Sequence, residues 1–152
     1  MNKRKVVDIL LVEDDPGDVE LTREGLAAGK MFVNLHTVDD GIKALRFLRH
    51  EEPYADAVRP DIILLDLNMP RMDGRETLKA IKADERLRSI PVVVLTTSES
   101  ETDIFKSYDL GASCYISKPV GFDEFMKVIH SLEDFWFTVV KMPPKDQDTA
   151  HA

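Results

Sequence analysis

Four apolar runs organise this chain, and the polar residues that close them carry most of its chemistry. Val6–Val12 is almost continuously apolar, the pattern of a strand buried on both faces of a parallel sheet. It runs into Glu13-Asp14-Asp15. Pro16–Ala27 reads as a helix, with Val19, Leu21 and Leu26 among its apolar positions, Pro16 in the first turn and Gly29 near the end. Met31–Val38 alternates partly and reads as a second strand. Asp40–Leu48, with Ile42, Leu45 and Leu48 at helical spacing, reads as a second helix. Glu51–Pro60 is polar, holds two prolines and reads as a long surface loop. Ile62–Asp66 is the third strand. The loop Asn68–Gly74 then delivers a helix from about Arg75 to Ala83, striped by Leu78 and Ile81. Pro91–Thr96 and Ser113–Ile116 read as the fourth and fifth strands, with a helix over Thr102–Leu110 between them. Phe122–Val140 reads as a long last helix, and 141–152, with two prolines and several charges, as a disordered tail. Strands alternating with helices predict one α/β domain over 6–140, a parallel sheet covered on both faces.

Composition narrows the class without naming a function. At 152 residues, 43% apolar and 32% charged, the chain suits a single water-soluble globular domain. A net charge of −8 argues against binding nucleic acid or acidic lipid through bulk electrostatics, and it suits a site that needs a divalent cation. The apolar runs are too short for a membrane span, and no signal peptide opens the chain. The single cysteine, Cys114, sits in an apolar run and reads as a small buried hydrophobe. The expected location is cytoplasmic.

In an open α/β sheet, ligands sit beyond the carboxyl ends of the strands. Glu13, Asp14 and Asp66, distant in sequence, would therefore converge. Carboxylates a few ångströms apart repel by roughly 3–4 kcal/mol per pair at an effective dielectric near 20. Such a cluster either shifts its pKa values upward or holds a cation, and hard oxygen ligands suit Mg²⁺. The plainer alternative for Asp14 or Asp15 is a cap on the following helix, and for Asp66 a turn residue. Beside a cation, Asp66 can act as a nucleophile toward phosphorus. Lys118 would supply a second positive charge and the Thr96 hydroxyl a hydrogen bond to the phosphoryl oxygens, with Lys118-Pro119 a candidate cis peptide.

The motifs Leu11-Val12-Glu13-Asp14-Asp15, Asp66-Leu67-Asn68-Met69-Pro70 with Met72-Asp73-Gly74, Leu95-Thr96-Thr97 and Tyr115-Ile116-Ser117-Lys118-Pro119 occur in order and at suitable spacing. From about Asp8 to Leu132 the chain resembles the receiver domain of two-component response regulators. The resemblance implies a flavodoxin-like, doubly wound five-stranded parallel sheet of order 2-1-3-4-5. It implies that Asp66 accepts a phosphoryl group from a sensor histidine kinase. It also implies that Asp14 and Asp66 ligate Mg²⁺ directly, Glu13 acts mainly through metal-bound water, and Asn68 contributes its backbone carbonyl. Thr96 and Lys118 would sense the phosphoryl group, with Tyr115 as the switch aromatic that swings inward. Asn68 and Ser98 stand where such proteins tune phosphate lifetime. Thr97 departs from a frequent alanine, and the Glu51–Pro60 loop and the last helix are longer than in minimal receivers.

That last helix continues past Leu132 through Phe135, Trp136, Phe137, Val139 and Val140. A single-domain core cannot cover all of that surface. It predicts either an overhang folded back on the domain or a partner surface, with homodimerisation through Phe135, Trp136 and Phe137 the sharper reading. With the Asp-Pro-Gly-Asp following the acidic pair and the long loop, the chain looks like the single-domain regulators of bacterial phytochrome-type kinases. Output is then expected through protein contacts, since no DNA-binding or enzymatic domain follows residue 140. The alternatives are a phosphate relay or sink, an aspartate-nucleophile phosphatase, and a phosphate-independent interaction module. Asn68 disfavours the phosphatase, because it lacks the titratable proton of a general acid at that position.

Overall fold

A strand read off the sequence becomes a sheet only through pairing, and all four pairings here are parallel. The computed structural model describes residues 6–29, 32–67, 72–96, 111–112, 114–117, 123–124, 126–127 and 130–131. The strands are β1 (Val6–Val12), β2 (Phe32–Val38), β3 (Ile62–Asp66), β4 (Val92–Thr96) and β5 (Cys114–Ser117). They form one sheet in the order β2-β1-β3-β4-β5, the expected flavodoxin-like arrangement. The described helices are α1 (Pro16–Ala27), α2 (Gly41–Leu48) and α3 (Gly74–Ala83). Asp123, Glu124, Met126, Lys127, His130 and Ser131 are also helical. The expected helix over Thr102–Leu110, the Lys118-Pro119 bond, the end of the last helix beyond Ser131 and the tail lie outside the described residues. Among the described residues, no helix is long and apolar enough to cross a membrane.

Alternation along the central strands splits the core in two. Leu10, Val12, Ile63, Leu65, Val92 and Val94 face α2 and α3 and pack with Leu45, Leu48, Leu78 and Ile81. Val7, Ile9, Leu11, Ile62, Leu64, Val93 and Leu95 face the other way, with Leu26 of α1. β3 is buried along its whole length, which is why its sequence shows no polar alternation before Asp66. β2 is an edge strand and half-exposed, as its mixed pattern suggests.

The bounds of β1, α1 and β3 fall where the sequence places them. Two helix starts differ, in opposite directions. Asp40 does not begin α2 but caps it, with extended backbone and a side chain accepting the Lys43 N–H at 2.7 Å. Asp73 likewise caps α3, which begins at Gly74 rather than Arg75. A short carboxylate satisfies an otherwise orphaned N–H from outside the helix better than from within it. Ile42 is 40% exposed, contrary to the predicted stripe. The buried face of α2 runs instead through Gly41, Ala44, Leu45, Phe47 and Leu48. The Glu51–Pro60 loop is tied down. Tyr54 packs on Phe47 with ring centroids 5.5 Å apart, and the Arg59 guanidinium donates to the Arg86 carbonyl at 2.6 Å and the Ser89 hydroxyl at 3.2 Å.

Candidate metal and phosphoryl site

Register brings the strand ends to one level. Val12 pairs with Leu65 in β3 and with Val38 in β2, so Glu13 and Asp66 each stand one residue beyond matched positions. Asp66 pairs with Leu95, which puts Thr96 one step further along the same edge, beside Ser117.

Glu13, Asp14 and Asp66 each offer a carboxylate oxygen, and these oxygens all lie within 4.8 Å of one another. Glu13 and Asp66 are buried, at 3% and 5% exposure, while Asp14 faces solvent. The Glu13 N–H donates to the Val38 carbonyl at 3.0 Å, which carries the chain straight on from β1. The Glu13 carboxylate accepts the Asp15 N–H at 3.2 Å. Asp15 itself turns away. Its carboxylate accepts the Gly17 N–H at 2.9 Å and caps α1, with Pro16 at the first helical position. The helix-cap reading therefore holds for Asp15, whereas Asp14 joins Glu13 and Asp66.

Asp66 is held by the start of α3. The Gly74 N–H donates to the Leu67 carbonyl at 3.0 Å, closing the loop between β3 and α3. A Cβ on Gly74 would collide with the Asp66 carbonyl and with Leu67 Cα, so a side chain here would drive the helix off the strand. Asp73 and Glu76 form a reciprocal cap. The Asp73 carboxylate accepts the Glu76 N–H at 3.0 Å, and the Glu76 carboxylate accepts the Asp73 N–H at 3.3 Å. The Asp73…Glu76 spacing could have shown this cap in the sequence. Nothing local could have shown the approach of Gly74 to Asp66.

A cleft of about 480 Å³ opens beside the carboxylates, lined by Glu13, Asp14, Pro16 and Val19 on one side and by Val38, Lys43 and Tyr54 on the other. Lys43 is engaged with Asp39 at 2.8 Å, a hydrogen bond that raises the lysine pKa. Three oxygen donors, two buried and one open to water, fit a hard divalent cation whose remaining positions are completed by water and by a phosphoryl oxygen. Thr96 and Tyr115 lie in β4 and β5 as expected. Asn68, Lys118, Phe135, Trp136 and Phe137 fall outside the described residues.

Known proteins share this fold and much of this sequence. The family model of the response regulator receiver domain matches residues 9–130. Response regulator Rcp1 of Synechocystis sp. is 42% identical over 135 residues, covering 89% of this chain and 92% of that protein. The Mn²⁺-bound crystal structure of Rcp1 superposes with a TM-score of 0.84 at 42% identity over 90% of this chain and 99% of that one. The phosphorylated cyanobacterial phytochrome response regulator RcpA superposes with a TM-score of 0.86 at 46% identity, over 91% of this chain and 99% of that one. Strand order, the convergence of carboxylates on one sheet edge and the extent of these matches lead to one assignment: the chain belongs to the response regulator receiver domain family.

Proposed function

We propose that Asp66 is the phosphoacceptor of this receiver and that Mg²⁺ is its working cation. The observation that carries the reading is the meeting of Glu13, Asp14 and Asp66 within 4.8 Å at the carboxyl edge of the sheet. Asp14, Asp66 and the Asn68 backbone carbonyl would hold the cation, with Glu13 acting through water, and the bound cation would supply positive charge against the carboxylates and the incoming phosphoryl group. An oxygen of Asp66 attacks phosphorus. The P–N bond to the kinase histidine breaks, its electron pair stays on the imidazole, and an acyl phosphate remains on Asp66. Burial of Asp66 keeps the attacking oxygen poorly hydrated, and β3 and the start of α3 confine the backbone that carries it. Lys118 and the Thr96 hydroxyl take up the remaining phosphoryl charge, and Tyr115 follows Thr96 inward as the switch.

As a receiver, the protein is a signalling partner of a sensor histidine kinase. Its likeness to the phytochrome response regulator RcpA favours a phytochrome-type kinase. We assign residues 6–140 to the receiver with its extended last helix and 141–152 to a tail. The chain is neither nucleic-acid-binding nor membrane-bound, works in the cytoplasm, and passes its signal on through protein contacts. Its own chemistry is confined to phosphorylating and dephosphorylating itself. Homodimerisation runs through Phe135, Trp136 and Phe137.

Incubation with Mg²⁺ and acetyl phosphate, followed by intact-mass measurement, tests the central claim. The expected result is one phosphoryl adduct that is absent in Asp66→Asn and in EDTA. An adduct that persists in Asp66→Asn would place the phosphate elsewhere and overturn the assignment. Sizing a variant with Phe135, Trp136 and Phe137 made polar tests the dimer, and an unchanged elution would count against it.

A further inference from the structure

The first turns of α2 and α3 touch with no room for a methyl group. A Cβ on Gly41, the first residue of α2, would collide with the Thr77 hydroxyl and lie 2.8 Å from the Met72 carbonyl oxygen. Thr77 is fully buried, and its hydroxyl donates to the Asp73 carbonyl at 2.8 Å. Asp73 caps α3, and the next residue, Gly74, lies against the Asp66 carbonyl. Gly41, Thr77, Asp73, Gly74 and Asp66 thus form one series of close contacts, most of them to backbone. On its other side α2 is joined to β2 by Asp39 and Asp40, and the β2 carbonyl of Val38 accepts the Glu13 N–H. The start of α2 therefore stands between the supports of the two buried carboxylates.

We propose that Gly41 and Thr77 are positioning residues whose mutual contact sets the separation of the Glu13 and Asp66 carboxylates, and through it cation affinity and the rate of Asp66 phosphorylation. The proposal rests on the reading of Asp66 as a metal-assisted phosphoacceptor. Neither residue touches the cation or the phosphoryl group. Their effect is steric: the Met72 carbonyl is backbone and the Thr77 hydroxyl is held by its bond to the Asp73 carbonyl, so an added atom at this contact pushes the two helix starts apart. Oxygen sits closer to a Cα than a methyl group can. Thr77→Val keeps the shape of the side chain but sets carbon against Gly41 in place of the hydroxyl. The Asp73 carbonyl keeps its bond from the Thr77 N–H at 3.0 Å, so that variant leaves no buried acceptor unpaired.

The test is titration of the metal-free protein with Mn²⁺ followed by electron paramagnetic resonance, alongside acetyl phosphate labelling at saturating Mg²⁺ and thermal unfolding in EDTA. Gly41→Ala should weaken Mn²⁺ binding about tenfold or more, the range seen when supports of metal ligands are altered. Thr77→Val should weaken it several-fold, while Thr77→Ser, which keeps the hydroxyl, should bind as wild type. Ile81→Val, a buried change in the same helix α3, lowers stability without touching this contact and should leave affinity unchanged. Should Gly41→Ala fail to fold, the Thr77 pair decides. Folded Gly41→Ala or Thr77→Val with wild-type Mn²⁺ affinity and labelling rate would overturn the positioning role. So would an equal loss of affinity in Ile81→Val, since that would mark a general response to lost stability. A wild-type protein that neither binds Mn²⁺ nor labels would instead remove the metal-assisted function itself, and this proposal with it.

Discussion

Asp66→Asn should reverse its effect on stability depending on whether a divalent cation is present. Glu13 and Asp66 are both buried with carboxylate oxygens within 4.8 Å. Two unit charges at that separation repel by about 3.5 kcal/mol at an effective dielectric near 20. Asparagine keeps the shape and removes the charge. Both carboxylates have other interactions in the fold, and part of the gain is lost with those of Asp66. A net stabilisation of about 1 kcal/mol in EDTA is expected, which for a chain of this size raises Tm by about 3 °C. At a cation concentration about a hundredfold above Kd, the wild type should gain about 2.7 kcal/mol through linkage. The variant, with one ligand fewer, should gain far less. Urea unfolding followed by far-ultraviolet circular dichroism, in EDTA and in Mg²⁺, reads both quantities. The expected signature is an exchange of rank: the variant is more stable without metal and less stable with it. A variant that is less stable in EDTA and gains as much from Mg²⁺ as the wild type would refute the view that these carboxylates repel one another and require a cation.

Other consequences separate the scaffold from the site. Asp15→Ala removes the α1 cap and should lower stability by about 1 kcal/mol while leaving Mn²⁺ affinity unchanged, because Asp15 faces its own helix. Leu65→Ala, at a fully buried position beside Asp66, should lower the unfolding free energy by about 3–5 kcal/mol in urea titrations. The Asp84 carboxyl is held below its ordinary pKa of 3.8, first by the Arg86 backbone N–H at 2.8 Å and also by Arg49. Its stabilising contribution is therefore present above that ordinary value and lost as pH falls through the depressed one. Asp84→Asn should accordingly flatten the fall of stability below about pH 4, measured by urea midpoints across an acid series.

Much of the scaffold was legible because burial on both faces leaves a plain mark on a strand. β1 and β3 are near-continuous apolar runs, and their bounds could be read directly. The start of α2 was displaced because Asp40 resembles a helix-starting residue but acts from outside the helix, whereas α3 begins one residue early because Gly74, which follows the Asp73 cap directly, is already helical. Ile42 misled because spacing alone cannot tell which of two overlapping stripes faces the sheet; packing against β1 and α3 chose Ala44, Leu45 and Leu48.

Glu13, Asp14, Asp15 and Asp66 were all visible as strand-end acids, and the sequence by itself determined that acids and hydroxyls would close the apolar runs. Only the tertiary structure decided which of them meet. Asp15 and Asp14 are adjacent and chemically alike, yet one caps α1 while the other joins two distant carboxylates. The contacts of Gly41 with Thr77 and of Gly74 with Asp66 left no local signature, because a missing Cβ acquires meaning only from what the fold brings against it. Hydrophobic periodicity is set by neighbours along the chain, so the sequence carries it openly. Convergence at a site is set by strand order and register, which arise when separate segments pack.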